Sequence, residues 1–249
     1  MKLEARKAPG TAWFLDYDGS VCPHLEVWEE RVYDPIEILA TVEGLRDVGA
    51  QVIWNTGRRP ESLGGVHAGF LGFDGYFVHG SVHWHAEPKP GLAEILAPRV
   101  PAKLIALAEA LSAKHKEYRL EVKPTSLRLN PFHGHTMHGL REAMVELLAA
   151  TSGEWHWIVG PRGAELLAKD FDKSVALKRE VKAGMVPVAV GDDLLDRPAI
   201  EAALRAGGYA VIVGEGCGWV TEIPHQAEQL VYCESPREVL DLIQRFSQK

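Results

Sequence analysis

Two aspartates separated by one residue follow an apolar run near the start of the chain. The run Trp13-Phe14-Leu15 leads into Asp16 and Asp18, and Gly19 follows at once. Because side chains on a strand alternate with period two, we expect both carboxylates on one side, and Gly19 permits a tight turn. Two acids in unlike environments can act as a nucleophile or metal ligand and as a proton carrier. The stretch predicts a paired-acid site, with an ordinary solvated turn as the alternative.

Polar residues with complementary chemistry follow other predicted strands. Thr56 and Gly57 come after one apolar strand, Asp192 and Asp193 after another, and Lys173 opens a helix shortly before the latter. Ligands in open α/β sheets bind beyond the carboxyl ends of the strands, so these groups are expected to meet there. Asp16 and Asp192 can share a hard cation such as Mg²⁺, which prefers oxygen ligands. Thr56, the amide after it and Lys173 can bind and neutralise a phosphoryl group.

Alternating strands and helices predict the framework that positions these residues. The first predicted strand ends at residue 15, and the others span 51–54, 76–78, 188–190 and 209–213. The predicted helices span 35–48, 173–182, 198–206 and 236–246. This alternation is typical of a parallel sheet in an α/β fold.

The middle of the chain has a different pattern. Helices are predicted at 102–116 and 136–150, and strands at 118–122, 127–129, 155–159 and 165–167. Antiparallel strands with helices indicate an inserted α+β module. We therefore predict a Rossmann-like α/β core made of residues 1–80 and 169–249, interrupted by an α+β cap domain of residues 81–168.

Composition limits the classes of partner. The 249 residues carry a formal net charge of -7, which argues against nucleic acid and anionic membranes as partners. The first twelve residues lack the apolar segment of a secretion signal, and no apolar run is long enough to span a bilayer. The three cysteines are far apart and in no metal-binding or disulfide pattern. We expect a cytoplasmic protein that acts on a small molecule.

Nucleotide cofactors are not indicated. The chain has no GxxxxGK[ST] segment, and residues 214–219 lack the last glycine of the dinucleotide pattern GxGxxG.

The order and spacing of the polar residues resemble the haloacid dehalogenase (HAD) superfamily of phosphohydrolases. The resemblance rests on Asp16-x-Asp18-Gly19-Ser20, Thr56-Gly57-Arg58, Lys173 and Gly191-Asp192-Asp193-x-x-Asp196. The inserted module resembles the α+β (type IIB) cap of one subgroup. Within that subgroup the chain most resembles trehalose-6-phosphate phosphatases, through Val78-His79-Gly80-Ser81, Glu121-Val122-Lys123-x-x-Ser126 and Gly160-Pro161-Arg162-Gly163 with Glu165.

The resemblance implies the HAD fold and a Mg²⁺-dependent phosphatase acting on a sugar phosphate, with trehalose 6-phosphate as the leading substrate. Asp16 would attack phosphorus, and Asp18 would protonate the leaving sugar oxygen and then activate water. Thr56 and Lys173 complete the implied catalytic set. The implied metal ligands are Asp16, Asp18 through its carbonyl, Asp192 and Asp193, and Asp196 is a further acid that would take part in the metal site. The implied substrate-binding residues are Gly57, Arg58, His79, Gly80, Lys123, Ser126 and Glu165; for Arg58 a surface role is the alternative.

Two alternative functions stay open. One is a HAD phosphatase acting on another phosphorylated glycoside or a hexose phosphate, because Leu127-Arg128-Leu129 stands where the family often has His-Tyr-Arg. The other is a receiver-like phosphate sensor, against which the cap and Asp18 both argue. His133, His135 and His138 could form a metal site, but no acid or cysteine completes the set, so we expect a solvated loop.

Overall fold

The computed structural model describes residues 10–24, 34–58, 63, 75–78, 81–83, 93–95, 97–132, 138–151, 153–160, 163–215 and 217–248. The chain divides into two compact units. The first comprises Met1–Val78, Val82–Glu94 and Lys173–Lys249, and the second comprises His79–Ser81 and Ile95–Asp172. Residues 82–94 therefore fall in the first unit, whereas the predicted cap begins at residue 81. The exact cap boundaries stay a prediction.

Among the described residues, eight strands form one sheet, and all of their residues except Ser81 and Ile95 belong to the first unit. They are β1 (Thr11–Leu15), β2 (Gln51–Asn55), β3 (Gly75–Val78), β4 (Ser81–His83), β5 (Ala93–Ile95), β10 (Val186–Gly191), β11 (Tyr209–Val213) and β12 (Leu230–Cys233). Their order is β12-β11-β10-β1-β2-β3-β4-β5. Every pairing from β12 to β3 is parallel.

The central strands are apolar because both faces of the sheet are covered. All five residues of β1 are buried, as are those of β2 and β11. Parallel strands covered on both faces are expected to be continuous apolar runs. Leu15 at the end of β1 pairs with Val190 of β10 and Trp54 of β2. The carboxyl ends of these three strands therefore lie side by side.

Four helices accompany this sheet in the described part of the first unit. They are α1 (Pro35–Asp47), α4 (Ser174–Glu180), α5 (Arg197–Arg205) and α6 (Pro236–Ser247). The side chain of Asp34 caps α1 by accepting from the Ile36 amide at 2.9 Å, and Pro35 occupies the first turn. The apolar sides of α1 and α6 pack into the same buried cluster as β1, β2, β10 and β11.

The second unit contains an antiparallel sheet. Its described strands are β6 (Tyr118–Val122), β7 (Ser126–Pro131), β8 (Trp155–Gly160) and β9 (Gly163–Ala168), in the order β6-β7-β9-β8. Its helices are α2 (Ala102–Lys114) and α3 (His138–Ala149). One buried cluster joins these helices to alternate residues of the strands, including Leu127, Leu129 and Leu166.

The predicted fold class, a parallel α/β core with an additional α+β module, is confirmed. Strand β12 is missing from the sequence prediction, because its four residues lack an alternating pattern: Leu230 and Val231 are partly buried, Tyr232 is exposed and Cys233 is buried. Among the described helices, none is long and apolar enough to cross a membrane.

Candidate active site

Asp16 stands directly beyond β1, at the edge where the strand ends meet. Its amide donates to the carbonyl of Val190 at 3.2 Å, which continues the pairing with β10 by one residue. Asp192 follows β10 directly, since that strand ends at Gly191. Both carboxylates are buried, with residue exposures of 6% and 8%. The two acids thus leave neighbouring parallel strands at the same end of the sheet.

Lys173 links two of the acids. Its Nζ donates to Oδ1 of Asp16 at 2.8 Å and to Oδ1 of Asp196 at 2.6 Å. Its backbone carbonyl accepts from the side-chain amide of Asn55 at 2.9 Å, so the last residue of β2 holds the turn that precedes α4. A buried ammonium between two carboxylates forms strong, charge-assisted hydrogen bonds.

Asp196 organises the turn after β10. Its Oδ2 accepts from the amides of Asp192 at 3.0 Å and Asp193 at 3.2 Å, while its Oδ1 binds Lys173. A Cβ added at Gly191 would collide with the side chain of Asp196. Glycine at position 191 therefore allows Asp196 to pack against the backbone and fix the turn that carries Asp192.

The turn after Asp18 brings a hydroxyl to the acids. Gly19 adopts φ +85°, a left-handed conformation that favours glycine. Ser20 Oγ lies 3.4 Å from Oδ2 of Asp16 and 3.3 Å from Oδ1 of Asp192. A single hydroxyl thus contacts both carboxylates.

Burial and charge set the protonation of this cluster. Burial raises the pKa of Asp16 to about 6, an effect that Lys173 opposes and Asp192 reinforces. Burial also raises the pKa of Asp196, against the effect of Lys173. For Lys173, burial alone would lower the pKa, but Asp16 and Asp196 more than offset this and raise it. Lys173 is therefore a cation at neutral pH. Added positive charge near Asp16 would favour the ionised form of its carboxylate.

The acids fit a divalent cation. Asp16, Asp192 and Asp196 each offer an oxygen, and these oxygens lie within 4.8 Å of one another. Three ionised carboxylates with one ammonium leave two negative charges, which a divalent cation would neutralise. Carboxylate oxygens are the ligands that Mg²⁺ prefers. Of the predicted metal ligands, Asp16, Asp192 and Asp196 are part of this cluster, whereas the side chains of Asp18 and Asp193 are not.

Asp18 points to a different partner. Its carboxylate accepts from Nε of Arg58 at 2.6 Å and from Nη2 at 2.7 Å. The Arg58 guanidinium also lies over the ring of Tyr17, 5.1 Å from its centre. Since β1 ends at Leu15, Asp16 and Asp18 lie beyond the strand, and the turn gives the two acids separate surroundings.

Thr56 and Gly57 lie where the sequence predicts them, directly after β2. Thr56 is buried, and its Oγ1 accepts from the Arg58 amide at 3.2 Å. This local hydrogen bond orients the start of the Arg58 segment. Two further predicted substrate-binding residues, His79 and Gly80, lie outside the described residues.

The second unit contains a separate buried polar cluster. Glu165 Oε1 accepts from Nζ of Lys123 at 2.9 Å and from Oγ of Ser126 at 2.7 Å. Arg128 lies 3.6 Å from the other oxygen of Glu165. Lys123 and Glu165 have exposures of 3% and 0%. The three residues that the sequence groups in the cap are thus brought together and bind one another.

Two residues that contact the candidate active site are absent from the sequence prediction. Asn55 holds the carbonyl of Lys173, and His24 Nε2 lies 3.0 Å from Oδ2 of Asp192. Asn55 precedes Thr56 at the end of β2, so its position in the strand could have indicated it. His24 has no such signal, because its contact depends on the turn at Gly19. His133 and His135 lie outside the described residues, as does the side chain of His138.

Comparisons with known proteins identify the fold. The C-terminal domain of the Candida albicans trehalose-6-phosphate phosphatase is similar over 97% of this chain and 93% of its own, with 19% identity and a TM-score of 0.71. A haloacid dehalogenase-like hydrolase from Bacteroides thetaiotaomicron matches over 94% and 98%, with 13% identity and a TM-score of 0.67.

A third similar structure is the sucrose-phosphatase from Synechocystis in complex with sucrose and phosphate. It matches over 95% of this chain and 98% of its own, with 12% identity and a TM-score of 0.59. No protein-family model matches the chain, and no curated protein matches its sequence. At these identities the likeness shows the fold, which is that of HAD-like hydrolases.

Proposed function

We propose that this protein is a Mg²⁺-dependent phosphomonoesterase that hydrolyses a sugar phosphate through an aspartyl-phosphate intermediate. The observation that carries the proposal is the contact of Lys173 with both Asp16 and Asp196, beside Asp192. A carboxylate held against a buried cation, within an acidic cluster, suits attack on a phosphoryl group whose charge must be neutralised. The HAD-like fold of the chain supports the same reaction class.

In the first step, a carboxylate oxygen of Asp16 forms a bond to phosphorus while the bond from phosphorus to the sugar oxygen breaks. The electron pair leaves with the sugar oxygen, which takes a proton from Asp18. Lys173 keeps the attacking carboxylate oriented and offsets the charge of the phosphoryl oxygens. The hydroxyl of Thr56 and the amide of Gly57 that follows it are proposed to bind those oxygens.

In the second step, water attacks phosphorus and gives a proton to Asp18. The bond from phosphorus to Asp16 breaks, and its electron pair restores the carboxylate. Asp18 can exchange a proton with solvent because it is only partly buried, with 30% of its side chain exposed, whereas Asp16 is enclosed. Arg58 binds the ionised form of Asp18, which is the form that accepts a proton from water in the second step. For the first step Asp18 must be protonated, and its contact with Arg58 must then open.

Mg²⁺, when bound, supplies charge neutralisation and alignment of the phosphoryl group. Asp16 and Asp192 are the proposed side-chain ligands, with the carbonyl of Asp18 and the side chain of Asp193 as further proposed contributors. Asp196 contacts the ammonium of Lys173 and two backbone amides. Its main proposed role is therefore to hold the turn that carries Asp192, whereas Asp16 and Asp192 are the main ligands of the cation.

Trehalose 6-phosphate is the proposed substrate. The sequence resemblance at Lys123, Ser126 and Glu165 supports this choice, as does the similarity in fold to a trehalose-6-phosphate phosphatase. A second candidate is another phosphorylated glycoside. The departure at Leu127-Arg128-Leu129 and the similarity to a sucrose-phosphatase favour this candidate. A cytoplasmic location stays a prediction.

The decisive experiment is a release assay for inorganic phosphate over a panel of sugar phosphates, with Mg²⁺ and with EDTA. The panel contains trehalose 6-phosphate, sucrose 6-phosphate, glucose 6-phosphate and p-nitrophenyl phosphate. We expect Mg²⁺-dependent release that is fastest with a disaccharide phosphate. Release that persists in EDTA would contradict the metal requirement. Failure to hydrolyse every sugar phosphate in Mg²⁺ would contradict the proposed function.

A further inference from the structure

His24 forms a contact with an acid of the metal cluster that the proposed reaction does not use. Its Nε2 lies 3.0 Å from Oδ2 of Asp192, and the side chains are 26% and 9% exposed. An ionised Asp192 offers only acceptors, so Nε2 carries the proton in this contact and donates it. The other oxygen of Asp192, Oδ1, lies 3.3 Å from the hydroxyl of Ser20. Both oxygens of this carboxylate therefore have a donor of their own.

The backbone between Asp16 and His24 is folded back to make this contact. The amides of Val21 and Cys22 both donate to the carbonyl of Tyr17, and the Gly19 amide donates to the carbonyl of Cys22. Val21 and Cys22 are buried, which anchors the returning segment. The segment that carries the proposed nucleophile thus returns a histidine to Asp192, on the neighbouring strand.

Glycine at position 19 is what leaves room for the pair. A Cβ on Gly19 would collide with both His24 Nε2 and Asp192 Oδ2. The hydrogen bond therefore passes directly over the α-carbon of Gly19. The imidazole and the carboxylate are held in this place by the backbone below them and by the Ser20 hydroxyl on the other oxygen.

We propose that His24 is a positioning residue for the metal: its Nε2–H fixes the orientation in which the Asp192 carboxylate binds a divalent cation. The inference rests on the proposed function, in which Asp192 is a metal ligand. Without this donor the carboxylate keeps the longer contact with the Ser20 hydroxyl and rotates more easily about its Cβ–Cγ bond, so the cation must order it on binding. Hydrogen bonds to ligating side chains typically change metal affinity by about 10- to 100-fold. His24 itself is not one of the clustered ligands.

Metal binding to the substrate-free full chain tests this role. Calorimetric titration with Mg²⁺ alone gives the Kd, and Mn²⁺ titration followed by electron paramagnetic resonance gives an independent value. His24→Leu removes the donor and keeps the bulk, whereas His24→Gln keeps an amide donor. The matched control is His115→Leu, because His115 has a similar exposure of 24% and lies 3.3 Å from a carboxylate oxygen of Glu117 in the second unit.

We expect His24→Leu to raise the Kd for Mg²⁺ by about 10- to 100-fold, His24→Gln to recover most of the loss, and His115→Leu to match wild type. In EDTA, His24→Leu should still unfold in a single cooperative transition, which shows that the variant is folded. A wild-type Kd in His24→Leu would overturn the proposal, and so would a His24→Gln protein that binds no better than His24→Leu. A wild-type protein that binds Mg²⁺ but hydrolyses no sugar phosphate would contradict the proposed function and leave the role of His24 in place.

Discussion

Arg58 binds Asp18 through two nearly parallel hydrogen bonds, from Nε to Oδ2 at 2.6 Å and from Nη2 to Oδ1 at 2.7 Å. The Arg58 side chain is only 12% exposed, and its guanidinium lies over the ring of Tyr17. This geometry matches the planar fork of arginine to the carboxylate, and a lysine cannot reproduce it. The segment Thr56-Gly57-Arg58 is therefore coupled, through Arg58, to Asp18, the proposed proton carrier.

The first prediction concerns this pair. Asp18→Asn should lower kcat by about two to four powers of ten, the usual contribution of a general acid or base. Arg58→Lys should lower kcat less, and it should have little further effect in an Asp18→Asn background, because both changes disturb one interaction. A double-mutant cycle on kcat measures the coupling.

Arg237→Lys is the control for that cycle, since Arg237 forms exposed ion pairs with Glu37 and Asp241. This variant should have wild-type kcat. Losses from Asp18→Asn and Arg58→Lys that simply add would show that Arg58 acts elsewhere, for example on the phosphoryl group.

The second prediction concerns Asp16. Asp16→Asn should abolish turnover, because an amide is a poor nucleophile, while the far-ultraviolet circular dichroism stays that of wild type. Rapid mixing of wild-type protein with ³²P-labelled substrate, followed by acid quench, should trap a labelled protein that Asp16→Asn does not form. A folded Asp16→Asn protein with wild-type turnover would rule out Asp16 as the nucleophile.

The third prediction links pH to stability and metal. Burial raises the pKa of Asp16 from 3.8 to about 6, so the folded state holds this proton more tightly than the unfolded state. The resulting stability is fully present below about pH 3.8 and is lost as pH rises through about 6. In EDTA, the Tm should therefore fall between pH 4 and pH 7 more steeply for wild type than for Asp16→Asn.

Mg²⁺ should offset this loss, because the cation stabilises the ionised acids. The increase in Tm on adding Mg²⁺ should be larger at pH 7.5 than at pH 5, where protons compete for the same carboxylates. Differential scanning calorimetry at the two pH values measures it. An equal increase at both values would mean that the cation binds away from Asp16.

The fourth prediction concerns the polar cluster in the second unit. Lys123→Ala removes the ammonium from the fully buried Glu165 and leaves Arg128, 3.6 Å from its other oxygen, as the remaining cation. The change should therefore cost at most about 3–5 kcal/mol of unfolding free energy, the range for an uncompensated buried charge. The double variant Lys123→Met with Glu165→Gln removes both charges and should be markedly more stable than Lys123→Ala. Urea denaturation gives both values.

The same double variant tests sugar specificity without an unpaired buried charge. It should lower kcat/KM for trehalose 6-phosphate by about tenfold, the effect of one lost hydrogen bond to a charged group. Hydrolysis of p-nitrophenyl phosphate, which has no sugar, should change far less. Parallel losses on both substrates would mean that the cluster supports the fold, and the specificity proposal would have to be dropped.

The sequence predicts the framework better than the contacts within it. The helix at Pro35 and the strand at Gln51 follow from apolar periodicity and a proline at the first helical turn. The meeting of Asp16 with Asp192 follows from the rule that parallel strand ends share one edge. These inferences need only local patterns and a topological rule.

The partners of individual side chains require distances between remote segments. Lys173 is predicted to supply positive charge to a phosphoryl group, but its two hydrogen bonds go to Asp16 and Asp196. The alternation of side chains along a strand cannot predict the direction of the Asp18 side chain, because β1 ends at Leu15 and the following turn sets that direction. The burial of Glu165 likewise depends on four strands pairing in register, which no local pattern specifies.

The close packing of Asp196 on Gly191 constrains how this chain can vary. Because any Cβ at position 191 would meet the Asp196 side chain, a larger residue there displaces the acid from Lys173 and from two amides at once. Neither position can then change alone without disturbing the other. In a saturation library selected for activity, we expect alanine at 191 to be depleted as strongly as the bulky residues, because even its single methyl group would collide with the Asp196 side chain.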